Sequence, residues 1–575
     1  MVMPNACDIK LIGFVSGENK RKGSFCLIRR HKTYSLGYSR IEFSFGKLYL
    51  WIVICILLLS ILGFRLYELQ VKSQSFYVEL SKNNHDRIVS LECPRGTIFD
   101  RNGIKLAEDI PTYHLYANLQ QTFNLMDKNT KKEEKIKFLT SILTKTIQSP
   151  EKEILNLLTK NKDNTDEFLV RNNLDNTEYA RFNEKSFELP GFFVKEGFKR
   201  YYPKGSLLAH MIGYTRVISQ EQKKDPDFKN YDSSERVGKS GIELYYEKIL
   251  HGIKGQKVQT INALGNIIDE HEIANVVKGD NIYLTIDSTL QAIAEETIKD
   301  NVGTIIVIDV NSGEILACAS NPTFDPNIFS KPELPVLLWQ ELEQKRAFYN
   351  IAVQGQYPPG STFKPLLSLY ALEKNILTTT TQIYCGGSIK VPNLSEKYRC
   401  WVYPSMHGLL NLKEALKLSC DVFFYELGRR CNIEDMLAYV TRFGIGKRTG
   451  IDINETEEGN GFIGNPTWKK KQEGYPWFEG DSMNLGIGQG FIDVTPMQMA
   501  KIYAQLGNGG KIVIPHLLKK TSKGKVFADF LTDYQKNMLT TKINPNEENI
   551  KTIHEDLYAV TEAGGTATGL YNSQI

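Results

Sequence analysis

A serine and a lysine three residues apart, Ser361 and Lys364, follow the breaker Tyr357-Pro358-Pro359-Gly360. Residues at i and i+3 share one helix face, so the lysine amine can stand behind the hydroxyl and take its proton. A helix starting near Ser361 also leaves its first N–H groups unpaired, which favours negative charge developing beside the serine. The pair is a way to make a hydroxyl nucleophilic without a histidine. The bare tetrapeptide is weak by itself, because Ser149-Pro150-Glu151-Lys152 repeats the spacing. There, a serine before Pro and Glu and ahead of Ile154 and Leu155 reads as a helix N-cap with proline at the first helical position.

Ser419-Cys420-Asp421 lies between an amphipathic segment (Leu412, Ala415, Leu416) and Val422-Phe423-Phe424-Tyr425. A short polar loop between helices can aim Ser419 and Asp421 into a cleft while Cys420 turns the other way. Ser419 can then relay a proton to a leaving amine. A plain helix cap is the competing reading. Cys385, Cys400, His407 and Cys420 form a second constellation. Three thiols and an imidazole are the composition of a closed structural zinc site, although the spacing is not that of a zinc finger. The rival is a Cys385–Cys400 disulfide with His407 an ordinary loop residue.

These residues need elements to hold them. A chain of 575 residues is long enough for three or four domains. Residues 1–47 hold nine Lys/Arg against three Asp/Glu, a net of +6 where the whole chain carries +4. The remainder, at −2, is close to neutral, and nothing suggests nucleic acid. Leu48 to Phe64 is an uncharged apolar run that Leu66, Tyr67 and Leu69 can extend. It lacks the polar face of a core helix, and no small-residue cleavage site follows it. The expectation is an uncleaved anchor over 48–69, with the basic tail 1–47 in the cytoplasm and the rest outside. On that topology Cys93, Cys318, Cys385, Cys400, Cys420 and Cys431 meet an oxidising compartment, where disulfides, a metal or burial must account for them.

Beyond the run, residues 66–92 look like an amphipathic continuation of the anchor. Residues 124–165 read as helices, with Ile154, Leu157 and Leu158 on one face. Short strands and turns over 189–255, including Arg200-Tyr201-Tyr202-Pro203 and Gly238–Glu243, suggest structure rather than chemistry. The chain is strand-rich from Gly255 to Leu284. Asp287 caps a helix through Leu290 and Ile293, and Thr304–Val310 and Glu314–Ala319 are a hairpin joined at Asn311-Ser312-Gly313. A boundary near residue 280 separates a strand-rich module, 70–280, from a lobe over 281–575. The class is multidomain α+β.

As an ordered set, the motifs resemble a class B penicillin-binding protein. They are Arg95-Gly96-x-Ile98-x-Asp100-Arg101-x-Gly103, Leu284-Thr285-Ile286-Asp287, Tyr357–Lys364, His407-Gly408, Ser419–Asp421 with Phe423-Phe424-Tyr425, Gly480-Asp481-Ser482 with Ile487-Gly488-Gln489-Gly490, and Asn508-Gly509-Gly510 with Pro515-His516. Pro358-Pro359 and the aspartate at 421 are similar to the elongation type, penicillin-binding protein 2. The resemblance implies a membrane anchor, a dimerisation or pedestal module, and a transpeptidase lobe with a serine β-lactamase-like antiparallel sheet and helices. It implies a D,D-transpeptidase of the bacterial inner membrane, single-pass with its catalytic domain periplasmic. Ser361 would attack the D-Ala-D-Ala bond of a peptidoglycan stem, Lys364 would be its base, and Ser419 and Asp421 the second motif. β-Lactams would acylate Ser361. The implied partners are stem peptides and a polytopic glycan polymerase. Catalysis would need no cofactor, and relatives of this type tend to hold Asp, Cys or His where this chain has its thiols and His407, which supports a structural zinc there.

The family's third motif, Lys-Thr-Gly or Lys-Ser-Gly, should follow a Gly-Thr-Ala, yet after Gly565-Thr566-Ala567 come only Thr568 to Ile575. That strand would hold the substrate carboxylate and supply the second oxyanion donor, worth about 10²–10³ in rate. The expectation is therefore an inactive chain with a partly unfolded lobe, because a lone hairpin is marginal in water. Two alternatives stand beside the transpeptidase: a non-catalytic anchored partner of a wall glycosyltransferase, and a β-lactam sensor or β-lactamase. The length of the 70–280 module argues against the latter.

Overall fold

The computed structural model describes residues 45–571, apart from 76–85, 128–129, 165–166, 233–234, 262–266, 332–334 and 392–396. Residues 1–44 of the basic tail, with Cys7 and Cys26, lie outside the described residues. The chain divides into two bodies, residues 1–84 and 85–575.

In the first body the uncharged run forms helix α1 (Phe45–Tyr67), 23 residues and about 34 Å long, enough to cross a bilayer core of about 30 Å. Its large apolar side chains from Leu48 to Phe64 are exposed, as a lipid-facing helix requires. A π-helical turn, Glu68–Lys72, follows. Of the amphipathic continuation expected over 66–92, residues 76–85 are outside the described residues, and Asp86–Leu91 is a strand rather than a helix.

In the second body that strand, β1, opens the pedestal. Strands β2 (Ile98–Phe99) and β3 (Lys105–Ala117) come next, then helices α2 (Lys132–Ile147) and α3 (Glu151–Lys160). Ile154 and Leu158 of α3 are buried, and Leu157 is half-buried. The cap of α3 differs from expectation. Pro150, not Ser149, takes the N-cap position, and no side chain caps the helix. Strands β4 (Phe168–Leu174), β5 (Phe192–Tyr201), β6 (Gly255–Ile261) and β7 (Ile267–Ala274) complete the module. β1, β6 and β7 form an antiparallel sheet. Strand β8 (Ile282–Leu284) begins just after residue 280 and is a seam rather than an edge. It pairs parallel with β2 on one side and antiparallel on the other with β11 (Leu518–Thr521) from far down the chain. Ile98, Leu106, Ile282 and Leu284 therefore share a core with Ile451, Met497 and Leu517.

The lobe begins with helix α4 (Ser288–Ile298), whose first N–H groups are capped by Asp287 as expected. The hairpin is β9 (Gly303–Ile308) and β10 (Ile315–Asn321). Ala317 and Ala319 pack on Ala294 and Ile298 of α4. Among the described residues no third strand joins this sheet. The main lobe core is helical: α5 (Lys364–Glu373), α6 (Leu412–Lys417), α7 (Asp421–Arg430), α8 (Pro496–Gly507), α9 (Asp533–Thr540) and α10 (Glu547–Thr561). Phe363, Leu367, Phe423, Phe424 and Phe443 are its fully buried centre. Gly565-Thr566-Ala567 lies in the turns after α10, where Thr566 N donates to Lys417 O at 3.2 Å.

Candidate active site

Pro358-Pro359 ends the preceding segment, and Gly360–Phe363 forms a 3₁₀ turn that runs into α5. In a 3₁₀ turn residues i and i+3 eclipse, so Ser361 and Lys364 stack on one side. Gly360 takes φ +56°, and its N–H donates to Gly488 O at 2.8 Å. A Cβ on Gly488 would lie 2.2 Å from Gly360 O. The Gly486-x-Gly488-x-Gly490 stretch is therefore a tight seat for the turn that carries Ser361. Ser361 is exposed, while Lys364, directly behind it, is 1 % exposed, with its Nζ 5.3 Å from the centre of the Phe424 ring.

Lys364 Nζ donates to Ser419 O at 2.9 Å, Ser419 Oγ at 3.1 Å and Asp421 Oδ1 at 2.8 Å. Ser419 Oγ in turn donates to Ser361 Oγ at 2.9 Å. The described hydrogen bonds thus link Lys364 to Ser361 through Ser419. The backbone makes this possible by an uncommon choice, since Ser419 sits at φ +49°, a left-handed conformation costing about 1–2 kcal/mol for a residue with a Cβ. Ser419 N and Cys420 N hold the loop by donating to Leu416 O and Ala415 O. The result is the geometry the alternating polar–Cys–polar pattern suggests: Ser419 faces the serine, Asp421 faces the lysine, and Cys420, 0 % exposed, points away. Asp421 also opens α7, where a carboxylate suits the positive end of the helix dipole. Its second oxygen accepts from Trp401 N at 3.0 Å, and the exposed Trp401 ring is pinned by its Nε1 donating to Leu418 O at 3.0 Å. The reading of the sequence misses Trp401; its one signal there is adjacency to Cys400.

Behind the second motif, Cys385, Cys400, His407 and Cys420 come together, one ligand atom from each lying within 4.8 Å of the others. Cys385 Sγ and Cys400 Sγ are 3.7 and 3.6 Å from His407 Nδ1, and Cys400 Sγ is 4.0 Å from Cys420 Sγ. Ligands about 2.3 Å from a tetrahedral centre stand about 3.8 Å apart, close to these three separations. The described cysteines are all free thiols. The Cys420 thiol and the N–H groups of Val422, Val402 and Asp421 hold the Cys400 thiol below its ordinary range, against burial. The same contact, with burial, pushes Cys420 up. The pairing of Ile383–Cys385 with Gly408–Leu410 brings the first thiol beside His407.

The pedestal motifs meet elsewhere. Arg95 Nε and Nη2 pair with Glu243 at 2.6 Å and Glu247 at 2.7 Å. Arg200 pairs with Glu243 at 2.7 Å and Asp109 at 3.1 Å. All four acids and bases around Glu243 are buried or nearly so.

Known proteins resemble this arrangement at both levels. The penicillin-binding protein dimerisation domain matches residues 90–284, and the penicillin-binding protein transpeptidase domain matches residues 303–575. The chain is 32 % identical over 534 residues to the peptidoglycan D,D-transpeptidase MrdA of Acinetobacter baumannii, covering 92 % of this chain and 76 % of that one. Among solved structures, PBP2 of Helicobacter pylori in complex with MreC aligns with a TM-score of 0.70 and 27 % identity, over 84 % of this chain and 86 % of that one. A chain from a peptidoglycan synthase complex that coordinates polymerization and crosslinking aligns with a TM-score of 0.62 and 25 % identity, over 91 % and 86 %.

Proposed function

The chain belongs to the elongation-type class B penicillin-binding proteins, serine-type peptidoglycan D,D-transpeptidases, and from that premise we propose that Ser361 is its nucleophile, acylated by the D-Ala-D-Ala end of a stem peptide. The observation that carries this reading is the chain of contacts from Lys364 Nζ through Ser419 Oγ to Ser361 Oγ. Ser361 Oγ attacks the carbonyl carbon of the penultimate D-alanine. With both hydrogen bonds turned from the resting direction, its proton passes to Ser419 Oγ while that hydroxyl gives its own to the Lys364 amine. The C–N bond then breaks, and the same relay returns the proton to the departing D-alanine amine. An amine of a neighbouring stem reverses the sequence and takes the acyl group, forming the cross-link. Asp421 orients Lys364 and leaves the reacting atoms alone.

A fluorescent penicillin on the full-length protein is the direct test. Label on Ser361 that disappears in Ser361→Ala supports the transpeptidase reading, and rapid release of the hydrolysed drug would instead indicate a β-lactamase. A folded protein that takes no label would favour the non-catalytic anchored partner.

The anchor α1 and the basic tail support a single-pass protein with its catalytic lobe on the outer face, by the excess of Lys/Arg before the span. The related chain from a complex that polymerises and crosslinks supports a wall glycosyltransferase as partner, acting during cell elongation. Cys385, Cys400, His407 and Cys420 are proposed to hold a structural zinc, which would tie the loop carrying Ser419 to the strands at 383–385 and 408–410. Metal analysis of the purified protein should find about one zinc per chain, lost in Cys400→Ser. Equal metal content in both proteins, or none in either, would remove the site.

A further inference from the structure

A second cleft in the lobe, of about 200 Å³, opens among the turn Thr441–Phe443 with the loop after it, α8 and α9. Arg442, Lys447, Arg448 and Lys501 line it, and no carboxylate does. Arg448 is partly neutralised by Glu455 at 2.5 Å and lies over the Tyr534 ring. Arg442 and Lys447, both exposed at the mouth, have no ion-pair partner among the described residues. Lys501 is the floor. It is 2 % exposed, and of its three ammonium donors one is used among the described residues, to Thr449 O at 3.1 Å. Glu458, which offsets its charge, accepts through one oxygen, Oε1, from both Thr449 N and Thr449 Oγ1 at 2.5 Å each. Burial pushes the Lys501 ammonium down to about 8, so an arriving anion would regain interaction that burial removes. Gly444, at φ +108°, leaves open the space over this ammonium, where a Cβ would lie 3.8 Å from Nζ.

Charge and size together select the ligand. Four cationic groups without an acid in the lining match a multiply charged oxyanion better than a single carboxylate. The volume is below the roughly 300 Å³ at which drug-sized ligands begin to fit and suits a compact group. Asn537 and Thr541 add neutral donors at the rim. We propose that this cleft binds a phosphate-class oxyanion, with Arg442 and Lys447 at the mouth and Lys501 at the floor. The source is either a small soluble phosphate or the head group of a phospholipid.

The test is calorimetric titration of the full chain in detergent, at constant ionic strength, with inorganic phosphate, pyrophosphate and a short-chain phosphatidylglycerol below its micelle concentration. Saturable binding of at least one is expected, weakened at least about tenfold in Arg442→Ala/Lys447→Ala and unchanged in Lys470→Ala/Lys471→Ala, a control at exposed lysines elsewhere. Binding of the inorganic anions alone identifies a soluble phosphate, and preference for the lipid identifies a head group. Heat that does not saturate, or equal binding by the parent and the mouth variant, overturns the proposal. Circular dichroism of the mouth variant checks that it is folded.

Discussion

The pedestal and the lobe each bury charge, and they do so in opposite ways. Around Glu243 every charge meets another. The carboxylate is 0 % exposed and accepts from Arg95 and Arg200, while Glu247 and Asp109 take further guanidinium nitrogens. Burial alone would raise the Glu243 carboxyl, yet Arg200 and Arg95 hold it below the usual range. The lobe's buried lysine also has a carboxylate, Asp421, but its network does not close. It continues through Ser419 and ends on the exposed hydroxyl of Ser361. A closed network holds backbone segments together, here 95, 109, 200 and 243. An open one leads from a buried amine to an exposed hydroxyl.

Breaking the closed network should produce the largest effect. In Glu243→Gln two guanidiniums face each other without their shared partner, and loss of one member of a buried ion set costs about 3–5 kcal/mol. Thermal unfolding should show a clear drop, and the fraction that stays folded should react with penicillin at the parent's rate. The sign with pH is fixed by the lowered folded pKa. The stabilisation is present above the carboxylate's ordinary value near 4.5 and is lost as pH falls through the folded value. A Glu243→Gln protein as stable as the parent at pH 7 would show that the pedestal network is not what holds those segments.

The open network should fail in the other currency. Ser419→Ala removes the hydroxyl between Lys364 and Ser361 and leaves the Lys364–Asp421 ion pair intact. If the parent reacts, the acylation rate should fall at least about 10²-fold, the lower range for a positioned proton-transfer group. The melting temperature should change little, because the hydroxyl is only half-buried and the Lys364 amine keeps Ser419 O and Asp421 Oδ1 as acceptors. Unchanged acylation would show that Lys364 reaches Ser361 without Ser419.

The contrast also explains what was legible in the residues. Ser361 with Lys364, and Ser419 with Asp421, declare themselves because each pair is local, three or two residues apart on a helix start or in a loop. The link between the pairs spans 55 to 58 residues and depends on the left-handed Ser419, which no propensity favours. Arg200 and Glu243 read as turn and strand residues and Arg95 as one member of a motif, since the meaning of Arg95 and Glu243 lies in a contact 148 residues long. Ser149 was misplaced by one position because Pro150 itself adopts the extended N-cap conformation. Strand β8 marked a boundary by composition and proved to be a seam, because its two partners lie on either side of it in the chain.

Asp556 on α10 is a third case, a buried carboxylate with no ion-pair partner among the described residues. It is 4 % exposed, and its Oδ2 has no hydrogen-bond partner. Burial raises its carboxyl to about 6, with Lys413 pulling weakly the other way. The folded state therefore keeps this proton at pH values where the unfolded chain, near 3.8, has lost it. Stability attributable to the group is full below about 4, declines as pH rises through about 6, and is flat above. Asp556→Asn removes the charge and keeps the shape. It should stabilise the lobe by up to about 3 kcal/mol at pH 8, a shift of about two units at about 1.4 kcal/mol each, and by nothing near pH 4, read as the difference in melting temperature between variant and parent across that range. A variant less stable than the parent at pH 8, with the loss fading toward acid, would mean that Asp556 has a cationic partner and belongs with Glu243, and a difference independent of pH would mean that its carboxyl is not shifted.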